Sequence, residues 1–209
     1  MQPQQVYDIL QLHVPGAAVS YCWALWTNTP FLLKLTKSRR TKIGDFTSRH
    51  YQSKPRITLN HDLNPYMFLI TYIHEVAHLV VYKKYGVRVD PHGEEWKNAF
   101  QQLMQPLLLK EDVFPDEILH ELRRHMIQPK ASSSADAQLS QVLRKYDKHA
   151  DQFIILEGLP EGSIFKFHGR YFKKGKLRRT RIICKELKSK RDYLVPSDAL
   201  VTDVQLSLL

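Results

Sequence analysis

Apolar residues recur at three- and four-residue spacing through much of the N-terminal part of the chain, a pattern typical of amphipathic helices. The longest such segment, from about Pro65 to Tyr85, is apolar on most faces, which predicts a helix buried at the centre of a domain. Shorter segments rich in strand-forming residues predict a small sheet. We expect further helices at about Gln4–Leu12, Ala17–Asn28, Glu94–Met104 and Pro115–His125, and strands near Phe31–Thr36, Lys42–Phe46 and Arg56–Asn60.

The C-terminal part shows a different pattern, in which short runs of strand-forming residues alternate with turn residues. The predicted strands are Phe153–Leu156, Ser163–Phe167, Arg170–Phe172, Leu177–Cys184 and Asp192–Val195. The predicted hairpin turns are His168-Gly169, Lys174-Gly175-Lys176 and Lys188-Ser189-Lys190. This part therefore predicts a small all-β domain.

A small polar segment separates the two patterns. It begins at Gln128-Pro129 and contains three consecutive serines, a composition typical of a flexible connector. We therefore expect an α+β chain with helices and a small three-stranded sheet in residues 1–127, a linker at 128–140, and a small basic all-β domain at 141–209.

The predicted central helix contains the sequence His74-Glu75-Val76-Ala77-His78. Positions i and i+4 share a helix face, so the two imidazoles can bind one metal ion while Glu75 acts as general base on a water molecule. This H-E-x-x-H arrangement is typical of zinc-dependent peptidases. The alternative is that both are core histidines hydrogen-bonded to backbone. The pair, the intervening Glu and the helix signals at Asn64-Pro65 and Gly86 favour a metal site.

A catalytic zinc ion needs a third protein ligand, and the segment after Gly86 offers two candidates. His92 is favoured, because packing of the helix that begins near Glu94 against the central helix would carry it back to the other histidines. Glu95 is the alternative, since some peptidases take a carboxylate ligand from a downstream helix. Glu94 and Glu95 are also ordinary first-turn carboxylates, which stabilise a helix N-terminus.

Two segments, Thr71–His78 and Pro91–Trp96, resemble the SprT-like (SprT/Spartan-type) zinc metalloprotease family. The similarity covers about Val6 to Met104. It implies a zincin-like metalloprotease domain with one catalytic zinc ion held by His74, His78 and His92, and a general base at Glu75. It also implies that the protein hydrolyses peptide bonds in proteins crosslinked to DNA.

The cysteines depart from the pattern of that family, in which a zinc ribbon with four cysteines often follows the protease domain. This chain has two cysteines, Cys22 in an apolar helical segment and Cys184 in a strand-like run. Two thiols cannot form a four-cysteine site, so we expect a C-terminal domain that folds without metal and reduced thiols in a cytoplasmic protein.

Positive charge is concentrated in the C-terminal part of a chain whose net charge is +10. Lys166–Arg191 contains twelve Lys or Arg residues and one acid, with aromatic residues interleaved, which favours contact with nucleic-acid phosphates and bases. The alternative is a solvated basic face over an aromatic core. The predicted nucleic-acid contacts are Lys166, Arg170, Lys173, Lys174, Lys176, Arg178, Arg179 and Arg181. A second basic cluster comprises Lys34, Lys37, Arg39, Arg40, Lys42, Arg49, Lys54 and Arg56.

The remaining sequence features limit the choice of partners. No segment reads as a secretory signal or a membrane span, so we expect a cytoplasmic protein, with nucleoid association compatible with its charge. The hypotheses are a zinc protease acting on nucleic-acid-associated proteins, a zinc peptidase independent of nucleic acid, and a non-catalytic zinc-containing binding protein. The sequence leaves open the oligomeric state and the oxyanion-stabilising residue, for which the candidates are Tyr51, Tyr66, Tyr72 and His61.

Overall fold

The computed structural model describes residues 2–39, 42–48, 54–131, 136–147 and 154–206. The chain divides into two compact units, residues 1–148 and 149–209. It is an α+β protein, with a three-stranded sheet in the first unit and a separate six-stranded antiparallel sheet in the second. Each unit has its own cluster of buried apolar residues.

The first unit contains six α-helices and three strands among its described residues. They are α1 (Pro3–His13), α2 (Val19–Asn28), β1 (Leu32–Thr36), β2 (Gly44–Thr47), β3 (Arg56–Asn60), α3 (Pro65–Tyr85), α4 (Glu94–Leu109), α5 (Asp116–Ile127) and α6 (Ala137–Arg144). The strand order is β1-β3-β2, with β1 parallel and β2 antiparallel to β3. Strand β2 therefore lies at an edge of the sheet. The predicted helices and strands of this region are confirmed, although α4 continues past its predicted end at Met104.

Helix α3 forms because signals at both ends agree with its apolar interior. The Asn64 side chain accepts a hydrogen bond of 2.9 Å from the backbone N–H of Met67, and Pro65 occupies the first turn. Gly86, with a φ of 69°, ends the helix in a conformation that L side chains rarely adopt. Buried residues lie on nearly all sides of the helix, which places it at the centre of the unit as predicted.

The division between the units lies later than the predicted linker. Asp136 caps α6 by accepting a hydrogen bond from Leu139 N–H, and Leu139 and Leu143 are fully buried in the first core. The Asn64 amide at the start of α3 donates to the backbone carbonyl of Leu143, at 3.0 Å. Part of the segment assigned to the linker at 128–140, and residues 141–148 assigned to the second domain, therefore belong to the first unit. Positions 132–135 lie outside the described residues.

The second unit contains a six-stranded antiparallel sheet. Its strands are β4 (Ile154–Ile155), β5 (Ile164–Phe167), β6 (Arg170–Arg178), β7 (Arg181–Glu186), β8 (Asp192–Pro196) and β9 (Leu200–Gln205), in the order β4-β9-β5-β6-β7-β8. The turns predicted at His168-Gly169 and Lys188-Ser189-Lys190 are confirmed. Strand β9 was not predicted.

The turn predicted at Lys174-Gly175-Lys176 is wrong, because β6 runs through these residues and turns at Arg179, where φ is 52°. The pairing of β6 with β7 shifts register between Lys174 and Leu177. At this irregularity a Cβ on Gly175 would lie 2.7 Å from the carbonyl oxygen of Ile183, so the close approach of the two strands requires glycine there.

Both cysteines are buried free thiols, Cys22 in the first unit and Cys184 in the second. Burial raises the pKa of the Cys184 thiol to about 11. Within the described parts of the chain, no helix combines the length and apolar character needed to cross a bilayer.

Candidate metal centre

Three histidine side chains converge on one point at the surface of α3. The Nε2 atoms of His74 and His78 are 3.2 Å apart, those of His78 and His92 are 3.1 Å apart, and those of His92 and His74 are 3.3 Å apart. Nitrogen ligands about 2.0–2.1 Å from a tetrahedral ion would be separated by about 3.3 Å. The three ring nitrogens therefore have the spacing of three corners of a tetrahedral metal site, and the residues could hold a metal ion.

The sequence creates this cluster through one helix and one reversal of the chain. His74 and His78 are one turn apart on α3, and His92 lies just before α4. Trp96 of α4 is fully buried and contacts the rings of all three histidines, with centroid distances of 4.6, 5.5 and 4.8 Å. The packing of α4 on α3 therefore carries His92 to the pair, as expected from the sequence. Among the described residues, the cluster does not include Glu95.

Burial keeps the three imidazoles in the form that binds metal. It lowers the pKa of His74 to about 2 and that of His78 to about 4, with the neighbouring histidines adding to the effect. The pKa of His92 is lowered for the same reason. A neutral imidazole has a free lone pair for a cation, so the three side chains can bind one without losing protons.

Glu75 lies beside the histidines but packs against β2. Its side chain accepts a hydrogen bond from the backbone N–H of Phe46, and the residue is only 5% exposed. Burial, and then the nearby Asp45 carboxylate, raises the pKa of Glu75 to about 8, while Lys42 acts in the opposite direction. A cation held by the histidines would favour the ionised carboxylate. The hydrogen bond from Phe46 therefore fixes the direction of the Glu75 carboxylate. The ionisation of this carboxylate would respond to the charge of an ion bound by the histidines.

A cavity of about 590 Å³ opens over the histidines and Glu75. Strand β2 forms one wall through Gly44 and Phe46, and the turn after α3 contributes Val87 and Pro91 to its lining. Phe46 also stacks on the His78 ring at a centroid distance of 6.4 Å, which fixes the strand against the metal site. The arrangement combines three histidines that could hold a metal ion, a buried carboxylate and an edge strand in one cleft.

The side chains predicted as oxyanion stabilisers are placed elsewhere. The Tyr72 hydroxyl donates to the Cys22 carbonyl at 3.0 Å in the buried core, and Tyr66 packs against Tyr146. His61 pairs with the backbone carbonyl of Thr36. Tyr66, Tyr72 and His61 do not line the cavity, and Tyr51 lies outside the described residues.

The polar residues of the cavity lining that the sequence did not predict include Tyr82 of α3 and His125 of α5. Tyr82 is two turns beyond His74 and one turn beyond His78, so the helical spacing could have identified it. Nothing local in the sequence indicates that the end of α5 reaches the cleft.

The predicted nucleic-acid contacts in the second unit fall into three groups, according to their burial and ion pairs. Lys174 is buried, and its ammonium group donates to the backbone carbonyls of Glu157, at 2.8 Å, and Leu159. It is a structural residue, and its prediction as a phosphate contact is wrong. Lys166 pairs with Asp203 at 3.0 Å, and Arg170 pairs with Glu186 at 3.5 Å. The remaining five are exposed and form no ion pair with a described acid, namely Lys173, Lys176, Arg178, Arg179 and Arg181.

The aromatic residues of this strip are mainly core residues. Phe165 and Phe172 are buried and stack on each other with a centroid distance of 5.8 Å. Phe167 packs against the same cluster. Tyr171 is 43% exposed, and its hydroxyl donates to Asp203. For the two buried rings the alternative of an aromatic core is therefore confirmed, whereas the Tyr171 ring is exposed and has the Lys166 ammonium group 5.6 Å from its centroid.

The second basic cluster is partly engaged within the first unit. Arg39 donates to the Asn60 side chain at 2.9 Å, and Lys42 pairs with Asp45 at 2.5 Å. Arg40 and Arg49 lie outside the described residues. Arg39 and Lys42 therefore have structural contacts within the first unit.

Comparison with known proteins gives a family match for part of the chain. Residues 24–122 match the model of the SprT-like family. The chain is 42% identical over 64 residues to Protein SprT of Vibrio parahaemolyticus serotype O3:K6 (strain RIMD 2210633), a segment covering 29% of this chain and 38% of that protein. It is 57% identical over 30 residues to Protein SprT of Pasteurella multocida (strain Pm70), covering 14% and 18% respectively. The chain thus spans less than half the length of these relatives, and no solved structure matches it. The match over residues 24–122, which include the three histidines and Glu75, supports membership of the SprT-like family.

Proposed function

We propose that this protein is a zinc-dependent peptidase with a zincin-like catalytic domain. The observation that carries the proposal is the set of three Nε2 atoms at tetrahedral spacing with a buried carboxylate beside them in an open cleft. His74, His78 and His92 would hold one zinc ion. Three protein ligands leave a position open, which is the arrangement of a catalytic rather than a structural zinc site.

A zinc ion in such a site lowers the pKa of a water molecule and polarises a peptide carbonyl. Glu75 is placed to act as the general base, because it adjoins the histidines and faces the same cavity. Its carboxylate takes a proton from water and delivers it to the leaving amine. The backbone N–H of Phe46 donates a hydrogen bond to Glu75. This bond keeps the carboxylate at the wall of the cleft during the proton transfer.

The cleft also has a surface for an extended polypeptide. Strand β2 is paired with β3 on one side and lies at the edge of its sheet, next to the histidines. An extended substrate segment can pair with such an edge through backbone hydrogen bonds, a mode with little dependence on side chains. The substrate class is therefore an unfolded or flexible stretch of protein.

We further propose that the substrates are proteins associated with nucleic acid, in the cytoplasm or at the nucleoid. The support is the exposed cluster on β6, β7 and their turn, in which five Lys or Arg side chains lack described acidic partners. Such a cluster can neutralise phosphates of DNA, including single-stranded or crosslinked DNA. A peptidase independent of nucleic acid, and a non-catalytic zinc-containing nucleic-acid-binding protein, are the alternatives.

A hydrolysis assay distinguishes these functions. Zinc-loaded protein is incubated with an unfolded protein such as reduced casein and with a DNA-bound basic protein, each with and without DNA. We expect cleavage by the wild type, stimulation by DNA for the DNA-bound substrate, and none by Glu75→Gln. The matched control Glu95→Gln, a nearby carboxylate outside the histidine cluster, should cleave normally. Equal cleavage with and without DNA would support the DNA-independent peptidase. No cleavage of either substrate would support the binding protein.

A further inference from the structure

One end of the cleft has an apolar lining that the proposed mechanism does not use. The residues that form it come from β2, from the last turns of α3 and from the segment between α3 and α4, namely Phe46, Tyr82, Val87, Val89 and Pro91. Val87 is 82% exposed, and Phe46 and Tyr82 are only partly buried. Apolar surface that is open to water beside a polar site is a candidate for contact with a ligand.

Ring contacts locate the two aromatic side chains of this lining. The Phe46 ring stacks on the His78 ring, with centroids 6.4 Å apart and an angle of 9° between the ring planes. The Tyr82 ring lies on the Phe46 ring, with a centroid distance of 5.8 Å. The two rings therefore form a continuous wall that begins at His78 and extends towards the end of α3. Because both residues line the cavity and are only partly buried, this wall is within reach of a bound molecule.

Strand β2 and helix α3 run in the same direction beside the cleft. Gly44 of β2 approaches Glu75. Two residues later, Phe46 contacts His78 and Tyr82. Two residues of an extended strand span about 7 Å. A peptide paired with the free edge of β2 would therefore reach the aromatic wall within about two residues of the bond that lies next to Glu75.

We propose that Phe46, Tyr82 and Val87 form a subsite for one aromatic or large aliphatic side chain of the substrate, within about two residues of the cleaved bond. This inference rests on the proposed peptidase function. Backbone pairing with β2 would bind any extended chain, and the subsite adds a preference at one position. Folded proteins bury most of their large apolar side chains. The subsite therefore favours unfolded segments, in which such side chains are exposed.

Peptide binding tests the subsite without turnover. Zinc-loaded Glu75→Gln protein is titrated against two labelled peptides made of Gly, Ser and Asn, which differ in one central residue, Leu in the first and Ser in the second. The single Leu can enter the subsite because the peptide can shift along β2. Burial of the Leu side chain should make the first peptide bind roughly five- to thirtyfold more tightly, as measured by fluorescence anisotropy. Equal affinities for the two peptides would overturn the proposal.

Substitutions in the Glu75→Gln protein locate the preference. Tyr82→Ala removes a ring, and Val87→Ser removes an exposed apolar side chain, so zinc content and thermal midpoint should not change in the second variant. Each should reduce the preference for the Leu peptide at least about threefold. Tyr82→Phe keeps the ring and should keep the preference.

Tyr85→Ala is the matched control for these substitutions. Tyr85 is a 38% exposed aromatic residue of the same helix and does not line the cavity, so the preference should persist in this variant. A preference that is unchanged in both Tyr82→Ala and Val87→Ser would overturn the proposal, because the Leu side chain would then bind elsewhere.

The cleavage sites of the wild type provide a second measurement. Mass spectrometry of the fragments of reduced casein should find a large apolar residue within about two positions of the cleaved bonds more often than the composition of casein predicts. Cleavage sites without this enrichment would also overturn the proposal. Absence of hydrolysis by the wild type would count against the peptidase function alone, because the binding measurements are made in a variant that does not cleave.

Discussion

Gly44 of β2 lies so close to Glu75 of α3 that a Cβ built on the glycine would be 2.5 Å from Oε1 of the carboxylate. The same Cβ would also lie 2.5 Å from Cγ2 of Thr71. Real Cβ atoms essentially never approach other atoms this closely, so any side chain at this position must displace the strand or the carboxylate. The glycine therefore allows the edge strand and the proposed general base to share one wall of the cleft.

Gly44→Ala should accordingly reduce peptide hydrolysis at least about tenfold, the effect of a displaced base. Zinc content should not change, because the three histidines do not contact Gly44. Gly16→Ala is the matched control, since a Cβ there would have no neighbour within 4 Å. The measurements are the hydrolysis rate and the zinc stoichiometry of the two variants. A wild-type hydrolysis rate for Gly44→Ala would mean that β2 moves away without affecting Glu75.

Metal content should follow the three histidines. Replacing His74, His78 or His92 by Ala leaves two protein ligands and should reduce bound zinc to well under half of the wild-type amount. Glu75→Gln and Glu95→Ala should retain one zinc ion per chain. Elemental analysis of dialysed proteins measures this directly. Full zinc in His92→Ala together with loss in Glu95→Ala would transfer the third ligand to Glu95.

Zinc affinity should depend weakly on pH in the acidic range. Three histidines with an ordinary pKa of about 6.5 would lower affinity about a thousandfold between pH 7.5 and 5.5, since protons compete at each. Burial lowers the pKa of His74 to about 2 and of His78 to about 4, so both stay neutral at pH 5.5. His92, whose pKa is also lowered, then leaves a decrease of at most about tenfold. Competition with a chromophoric chelator tests this, and a thousandfold decrease would contradict it.

Helix α3 and the histidines that could hold a metal ion were predictable because their signals are local. Asn64-Pro65 and Gly86 bound α3, and the spacing of His74 and His78 places them on one face whatever surrounds the helix. The position of His92 was predictable because the apolar stripe that begins at Trp96 indicates a helix packed against α3, which brings His92 back to the other two histidines. In contrast, the approach of Gly44 to Glu75 joins segments about thirty residues apart, and no periodicity within either segment reports it.

Amino-acid composition predicted the secondary structure less well in the segments after α5. The serine-rich stretch obscured the eight-residue helix α6, although its apolar positions Leu139, Val142 and Leu143 have helical spacing after the capping Asp136. In the second unit the many Lys and Arg residues of β6 obscured its alternation of buried and exposed side chains. Phe172 and Lys174 are two residues apart and therefore share a face, so burial of the ring also buries the lysine.

Replacement by Met should have different effects at Lys173 and Lys174, on DNA affinity at the first and on thermal stability at the second. Lys174→Met removes the donor to the carbonyls of Glu157 and Leu159, and each unsatisfied buried carbonyl costs about 1–3 kcal/mol. The thermal midpoint of the second unit should fall by several degrees. Lys173→Met removes an exposed charge, so stability should be unchanged while DNA affinity at low salt decreases. Calorimetry and fluorescence anisotropy measure the two effects, and equal midpoints for both variants would refute the structural role of Lys174.

Helix α6 should be necessary for the stability of the first unit. A fragment of residues 1–127 lacks Leu139 and Leu143, which are fully buried, and leaves the Asn64 amide without its acceptor at Leu143. Loss of two buried leucines costs about 3–6 kcal/mol, which lowers the thermal midpoint by at least about 6 °C relative to a fragment of residues 1–148. Circular dichroism of both zinc-loaded fragments measures the difference. Equal midpoints would place the boundary of the folded unit at 127 and make the contacts of α6 dispensable.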